Sequence, residues 1–160
     1  MCCSLMCSQI KQVVGSPSPI PGISDQKFRS LCSKAVRAKQ NSYSPYSHFP
    51  VGCAILTEDG TVYTGVNVEN ASYGGAICAE RTAIVKAVSE GHRKIKALAV
   101  STNSNKCSSP CGICRQVIRE FSKSDLKLPI IMLDKEGESF IEMSIGDLLP
   151  LSFGPDDLEK

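Results

Sequence analysis

The chain has 160 residues, a net charge of +2, 42% hydrophobic and 21% charged residues, and no tryptophan. That is an ordinary globular balance on about one domain's length, which excludes fibrous and wholly disordered classes. No apolar run approaches the roughly 18 residues that cross a bilayer, and the scattered basic residues form no stripe for a polyanion, so the balance favours a small, roughly neutral substrate over a nucleic-acid polymer or a membrane.

Residues 1–23 read as a flexible tail, because Pro17, Pro19 and Pro21 with Ser16, Ser18 and Gly22 deny the stretch a regular element. A helix is expected next. Ser24 can cap it, Asp25 suits its positive end, and Phe28, Leu31, Ala35 and Ala38 recur at three- and four-residue steps. Residues 51–56 read as a strand buried on both faces, Asp59-Gly60 as a turn, and residues 61–68 as the return strand. Residues 79–89 read as a helix ended by Gly91, and residues 96–101 as a short buried strand. A further helix is expected over 112–121, then strands over 128–133 and 140–143. Ser144 with Asp147 resembles a capping box for a short last helix. The order predicts an α/β fold, a three-layer α/β/α arrangement with a central five-stranded mixed sheet.

Nine cysteines stand at 2, 3, 7, 32, 53, 78, 107, 111 and 114. The odd number, with no charged and apolar leader at the start, argues against a disulfide framework and for a reducing cytoplasm or nucleus. Cys2 at the second position excludes N-myristoylation, while Cys2 and Cys3 could in principle carry a lipid.

Two segments carry the chemistry: Cys78-Ala79-Glu80 and Pro110-Cys111-Gly112-Ile113-Cys114. A lone pair of cysteines at this spacing is ambiguous between half a zinc site and a redox couple. The third cysteine favours the metal. Cys78 and Cys111 each precede an expected helix, whose positive end stabilises a thiolate. Three thiolates on one cation leave the fourth tetrahedral position to water, as a catalytic zinc requires. Arg81 and Arg115, each close in sequence to a proposed ligand, could offset the excess negative charge. Glu80, by itself a favourable residue for a first helical turn, becomes beside such a site a carboxylate able to relay protons between water and substrate. Three alternatives stay open on these residues alone. His48 or His92 could close a structural zinc site. Cys111 and Cys114 could form a redox pair. Tyr43, Tyr46, Phe49 and Tyr73 could stack bases of a nucleic acid.

The pairing of the two segments is the known signature of zinc deaminases in its three-cysteine form. Ser47-His48-Phe49-Pro50-Val51-Gly52, Asn67-Val68-Glu69-Asn70-Ala71, Ile77-Cys78-Ala79-Glu80-Arg81-Thr82-Ala83 and Ser109-Pro110-Cys111-Gly112 closely resemble the small homotetrameric cytidine deaminases of animal type. So do Leu148-Leu149-Pro150 and Ser152-Phe153-Gly154-Pro155, and the resemblance covers residues 24–160. It implies a zinc ion on Cys78, Cys111 and Cys114, with Glu80 as proton shuttle. It implies that Asn67 and Glu69 hold the ribose, the Glu chiefly through the 3′-hydroxyl, and that Phe49 packs on the pyrimidine. Ala71 and Tyr73 would reach a neighbouring subunit's site, Phe153 would stand at a wall built between subunits, and the backbone around Ala79 and Ser109-Pro110 would meet the amide edge of the base. The implied activity is hydrolysis of cytidine and deoxycytidine to uridine and deoxyuridine, a reaction of pyrimidine salvage. A carboxylate on the 3′-hydroxyl would exclude a polynucleotide. Gly74-Gly75-Ala76 departs from the resemblance, replacing bulkier residues without changing the spacing.

Overall fold

The structure is a computed structural model that describes residues 10–122 and 124–158. Cys2, Cys3 and Cys7 lie outside the described residues. The elements in chain order are β1 (Lys11–Gln12), α1 (Asp25–Ala38), β2 (Val51–Thr57), β3 (Val62–Val66), α2 (Ala79–Ser89), β4 (Ile95–Thr102), α3 (Gly112–Glu120), β5 (Pro129–Leu133), β6 (Ser139–Ser144) and α4 (Ile145–Leu148). One mixed sheet runs β1-β6-β5-β4-β2-β3, with β4 and β5 parallel and the other neighbours antiparallel.

Alternation along the central strands divides the core in two. Cys53 and Ile55 of β2, Leu98 and Val100 of β4, and Ile130 and Met132 of β5 pack on one face with Ala83 and Ile84 of α2 and Ile118 of α3. Ala54, Leu56, Ala97, Ala99, Ile131 and Leu133 face the other way, onto Phe28, Leu31 and Ala35 of α1. Both faces are covered, so the strands read as nearly continuous apolar runs. The helix signals act as the sequence suggests. Ser24 Oγ accepts from Lys27 N at 3.3 Å, and Ser144 and Asp147 form a reciprocal capping box.

Gly65 sets how closely α2 approaches the sheet. A Cβ there would lie 2.3 Å from Ala83 N and 2.4 Å from Ala79 O, so only glycine lets the first turns of α2 rest on β3. That contact fixes the end of α2 that carries Cys78 and Glu80.

The sheet has six strands where five were expected, and the extra strand comes from the stretch read as a tail. Lys11 pairs with Phe140, Gln12 pairs with Ser139, and Val13 N donates to Glu138 O at 2.8 Å. Val13 and Ile20 are buried in the α1-side core. The prolines begin only at position 17, downstream of the pairing, and β6 would otherwise leave an open sheet edge. The proline-containing stretch is itself anchored, with Ser18 N donating to Asp25 Oδ1 at 2.9 Å.

Candidate active site and metal centre

Cys78 is the residue before the first turn of α2, and Cys111 stands in the same position before α3. Neither thiol caps its own helix, although Ser or Asp there would do so. Both sulfurs are turned instead to a common point. Their Sγ atoms are 3.9 Å apart, and with Cys114 Sγ, one turn into α3, all three lie within 4.8 Å of one another. Thiolates about 2.3 Å from a tetrahedral zinc sit about 3.8 Å apart, so the donor set fits that ion.

The charges of the three thiols are coupled. A hydrogen bond from Cys114 is the main influence holding Cys78 down to about 5, with Arg81 and Cys111 adding to it and burial opposing. The same partner thiolate, with burial, pushes Cys114 well up. A divalent ion would favour the ionised form of all three. Arg81 Nη2 donates to Cys78 Sγ at 3.5 Å, and this bond to the thiolate is the main reason its guanidinium is held still more firmly charged. Arg115 has a different task from the charge balance expected of it. Its donors go to Pro110 O at 2.8 Å, Leu148 O at 2.8 Å and Ser109 Oγ at 2.7 Å, so it braces the Ser109-Pro110 turn rather than a thiolate.

Glu80 lies in the first turn of α2 and is only 4% exposed. Burial pushes its carboxyl above the ordinary range, and the charge of Cys78 adds to this; its own backbone N–H, the Cys114 thiol and Arg81 pull the other way. A buried carboxyl with a raised pKa beside a cation-binding cluster is suited to accept and return a proton near neutral pH. Ala79, the adjacent residue, is fully buried.

Asn67 and Glu69 tie two loops to each other, one before β2 and one after β3. Asn67 Oδ1 accepts from Val51 N at 2.8 Å and from Ser42 Oγ at 2.6 Å, while Asn67 Nδ2 donates to Phe49 O at 2.9 Å. Glu69 accepts from Tyr46 N at 3.0 Å, from Ser47 N at 3.2 Å and from Ser47 Oγ. The Ser47 hydroxyl is the main reason its carboxyl is held below the usual range. Two backbone hydrogen bonds between Val68 and Ile77, both 3.0 Å, close the loop that holds Ala71, Tyr73 and Gly74-Gly75 immediately before Cys78. The Gly-Gly stretch forms an ordered turn, with Gly75 N donating to Ser72 O at 2.8 Å. Tyr73 is 79% and Phe153 61% exposed in the single chain, and Phe49 and Ala71 are exposed as well. The bracing roles of Ser42 and Ser47 could not be read from the sequence, because a serine in a loop carries no pattern. His48 and His92 take no part in the metal cluster; His92 Nδ1 instead lies 3.4 Å from Asp59 Oδ2.

Residues 25–128 match the cytidine and deoxycytidylate deaminase zinc-binding region. The chain belongs to this family. A cytidine deaminase from Sporosarcina psychrophila is 46% identical over 128 residues, covering 80% of this chain and 92% of the relative. The crystal structure of a cytidine deaminase from Burkholderia pseudomallei shares the fold with a TM-score of 0.72 and 43% identity, over 78% of this chain and 97% of that one. That of the Mycobacterium tuberculosis cytidine deaminase gives a TM-score of 0.67 and 40% identity, over 79% and 97% of the two chains. Within this zinc-binding family, Cys78, Cys111 and Cys114 are the cluster that could hold the metal ion, and neither histidine joins them.

Proposed function

We propose that the protein is a zinc-dependent hydrolase that converts cytidine to uridine and ammonia. The observation that carries this reading is the buried Glu80 beside three converging sulfurs, one residue of which, Cys78, opens the same helix. Cys78, Cys111 and Cys114 would hold a zinc ion, which would make a water acidic enough to be deprotonated near neutral pH. Glu80 takes the proton that this water gives up and delivers it to ring nitrogen N3. C4 then becomes electrophilic and the water oxygen adds to it. Glu80 next takes the proton of the hydroxyl now on C4 and passes it to the exocyclic amine, so the C4 carbonyl forms and ammonia leaves. The same carboxyl serves as base and then as acid, which its raised pKa favours.

The loop residues support free nucleosides as the substrate class. Phe49 is assigned to the face of the pyrimidine, the backbone at Ala79 and Ser109-Pro110 to its amide edge, and Asn67 and Glu69 to the ribose, the Glu chiefly to its 3′-hydroxyl. A carboxylate there repels a 3′-phosphate, so free nucleosides are substrates and a polynucleotide is not. Cytidine and deoxycytidine both keep the 3′-hydroxyl and both should react. The exposure of Tyr73, Phe153 and Phe49 supports a homotetramer in which Ala71, Tyr73 and Phe153 complete a neighbour's site. The six cysteines among the described residues are all free, which suits a reducing compartment such as the cytoplasm.

The test is to offer the zinc-loaded protein cytidine, deoxycytidine and a short cytosine-containing single strand, and to measure uracil formation and the mass of the assembly. Turnover of both nucleosides by a tetramer, and none of the strand, is expected. Deamination of the strand would overturn the role given to Glu69.

A further inference from the structure

The polar side of α3 is occupied by the C-terminal segment, and the reaction as derived above does not use that contact. Arg115 Nη1 donates to Leu148 O, and Gln116 Nε2 donates to Phe153 O at 3.0 Å. Arg119 Nε donates to Ser152 Oγ at 3.2 Å, and its Nη2 donates to Asp156 Oδ2 at 3.0 Å. Arg119 is only 4% exposed, an unusual position for a guanidinium. It is buried by the segment it binds. A Cβ at Gly154 would lie 2.4 Å from Arg119 Cζ, so the strap's backbone rests directly on the guanidinium. Gly154 is extended, at φ −154°, so this closeness rather than its torsion is what calls for glycine. Asp156 is held a second time by the Ser124 hydroxyl, and Gly154 N donates to Asp157 Oδ2 at 2.7 Å. Between these ties the Phe153 ring points outward.

Among the described residues, the strap supplies both side-chain partners of Arg119, and Asp156 is the single carboxylate it pairs with. A buried cation whose counter-charge sits on one segment holds that segment strongly, since release would leave the charge unpaired. We propose that Arg119 is a positioning residue that clamps residues 149–157 onto the helix bearing Cys111 and Cys114, and thereby sets where Phe153 is presented. The consequence for substrate rests on the reading of Phe153 as part of a site wall; the clamp itself does not.

Arg119→Ala and Gly154→Ala test it, the second variant keeping the guanidinium but crowding it so that side chain and strap must part. Amide hydrogen exchange in the zinc-loaded protein should rise about tenfold or more across residues 149–158 in both, with zinc content and exchange at the start of α3 unchanged. KM for cytidine should rise about threefold to tenfold with a smaller change in kcat, matching Phe153→Ala, and the double variant Arg119→Ala with Phe153→Ala should show no further rise. Arg119→Lys, which cannot serve Ser152 and Asp156 together, should restore only part of the protection. If Arg119→Ala fails to fold, Gly154→Ala carries the same readouts. Unchanged strap exchange overturns the clamp. Raised exchange with unchanged KM, where Phe153→Ala does raise KM, overturns the link to substrate. A wild type that binds zinc but does not act on cytidine would strike the proposed function, and the exchange measurement would still decide the clamp.

Discussion

Cys78 Sγ and Cys111 Sγ lie 3.9 Å apart although 33 residues separate them along the chain. Two helix starts are brought together to achieve this, and each gives up a side-chain cap to do so. Arg81 is the one cation among the described residues that donates to this cluster. Replacing it with Gln should weaken zinc binding by about 10- to 100-fold, as loss of a partner to a metal ligand commonly does. Competition with a graded series of chelators measures this, and an unchanged affinity would remove Arg81 from the centre.

The seat of α2 on β3 depends on Gly65. Gly65→Val places a side chain against Ala79 and Ala83 backbone, where no rotamer avoids the clash. A loss of about 3 kcal/mol or more of stability is expected, at or above the top of the range for overpacking. Denaturant unfolding reads the loss directly. Zinc affinity should fall with it, because the shifted turn carries Cys78.

Much of this arrangement is legible in the sequence, for identifiable reasons. The central strands announce themselves because burial on both faces demands runs such as Ile130-Ile131-Met132-Leu133. Helix starts are visible because their caps are local, as at Ser24 and Ser144. The sulfurs and Glu80 are visible because their chemistry requires those residue types. What is hidden is what depends on distant partners. β1 has only two residues and gains its identity from β6, more than a hundred positions away. The burial of Ile20 among prolines has no periodicity to reveal it. Arg115 and Arg119 look alike on the page as helix cations, and their separate partners at Leu148 and Asp156 emerge only when the C-terminal segment folds back.

Glu69 is predicted to act through the ribose 3′-hydroxyl. Glu69→Gln should raise KM for cytidine and deoxycytidine by about tenfold, the scale of a lost charge-assisted hydrogen bond. On 3′-deoxycytidine, which lacks the partner, the wild type should already be poor and the variant little worse. An equal penalty on all three nucleosides would mean that Glu69 only braces Tyr46 and Ser47.

Acid stability should depend on Asp59. Hydrogen bonds from the Thr57 and Thr61 side chains, then the Thr61 backbone, hold its carboxyl near 2, against 3.8 ordinarily, with His92 adding a little. A depressed carboxyl stabilises the fold fully above its unfolded value and loses that contribution as pH falls towards its folded one. Asp59→Asn should therefore melt lower than wild type at neutral pH, and the difference should close as pH falls from about 4 to about 2. Melting curves across that window check the sign, and a gap that widens on acidification would contradict it.

Glu80 is the group that moves protons in the proposed reaction. Glu80→Gln keeps the side chain's size and removes its proton chemistry, so zinc content and melting behaviour should stay close to wild type. Release of ammonia and uridine from cytidine, measured on zinc-loaded wild type and variant side by side, is predicted to fall by about a hundredfold to ten-thousandfold. A variant that carries zinc and deaminates cytidine at the wild-type rate would contradict the role of Glu80 and the mechanism built on it.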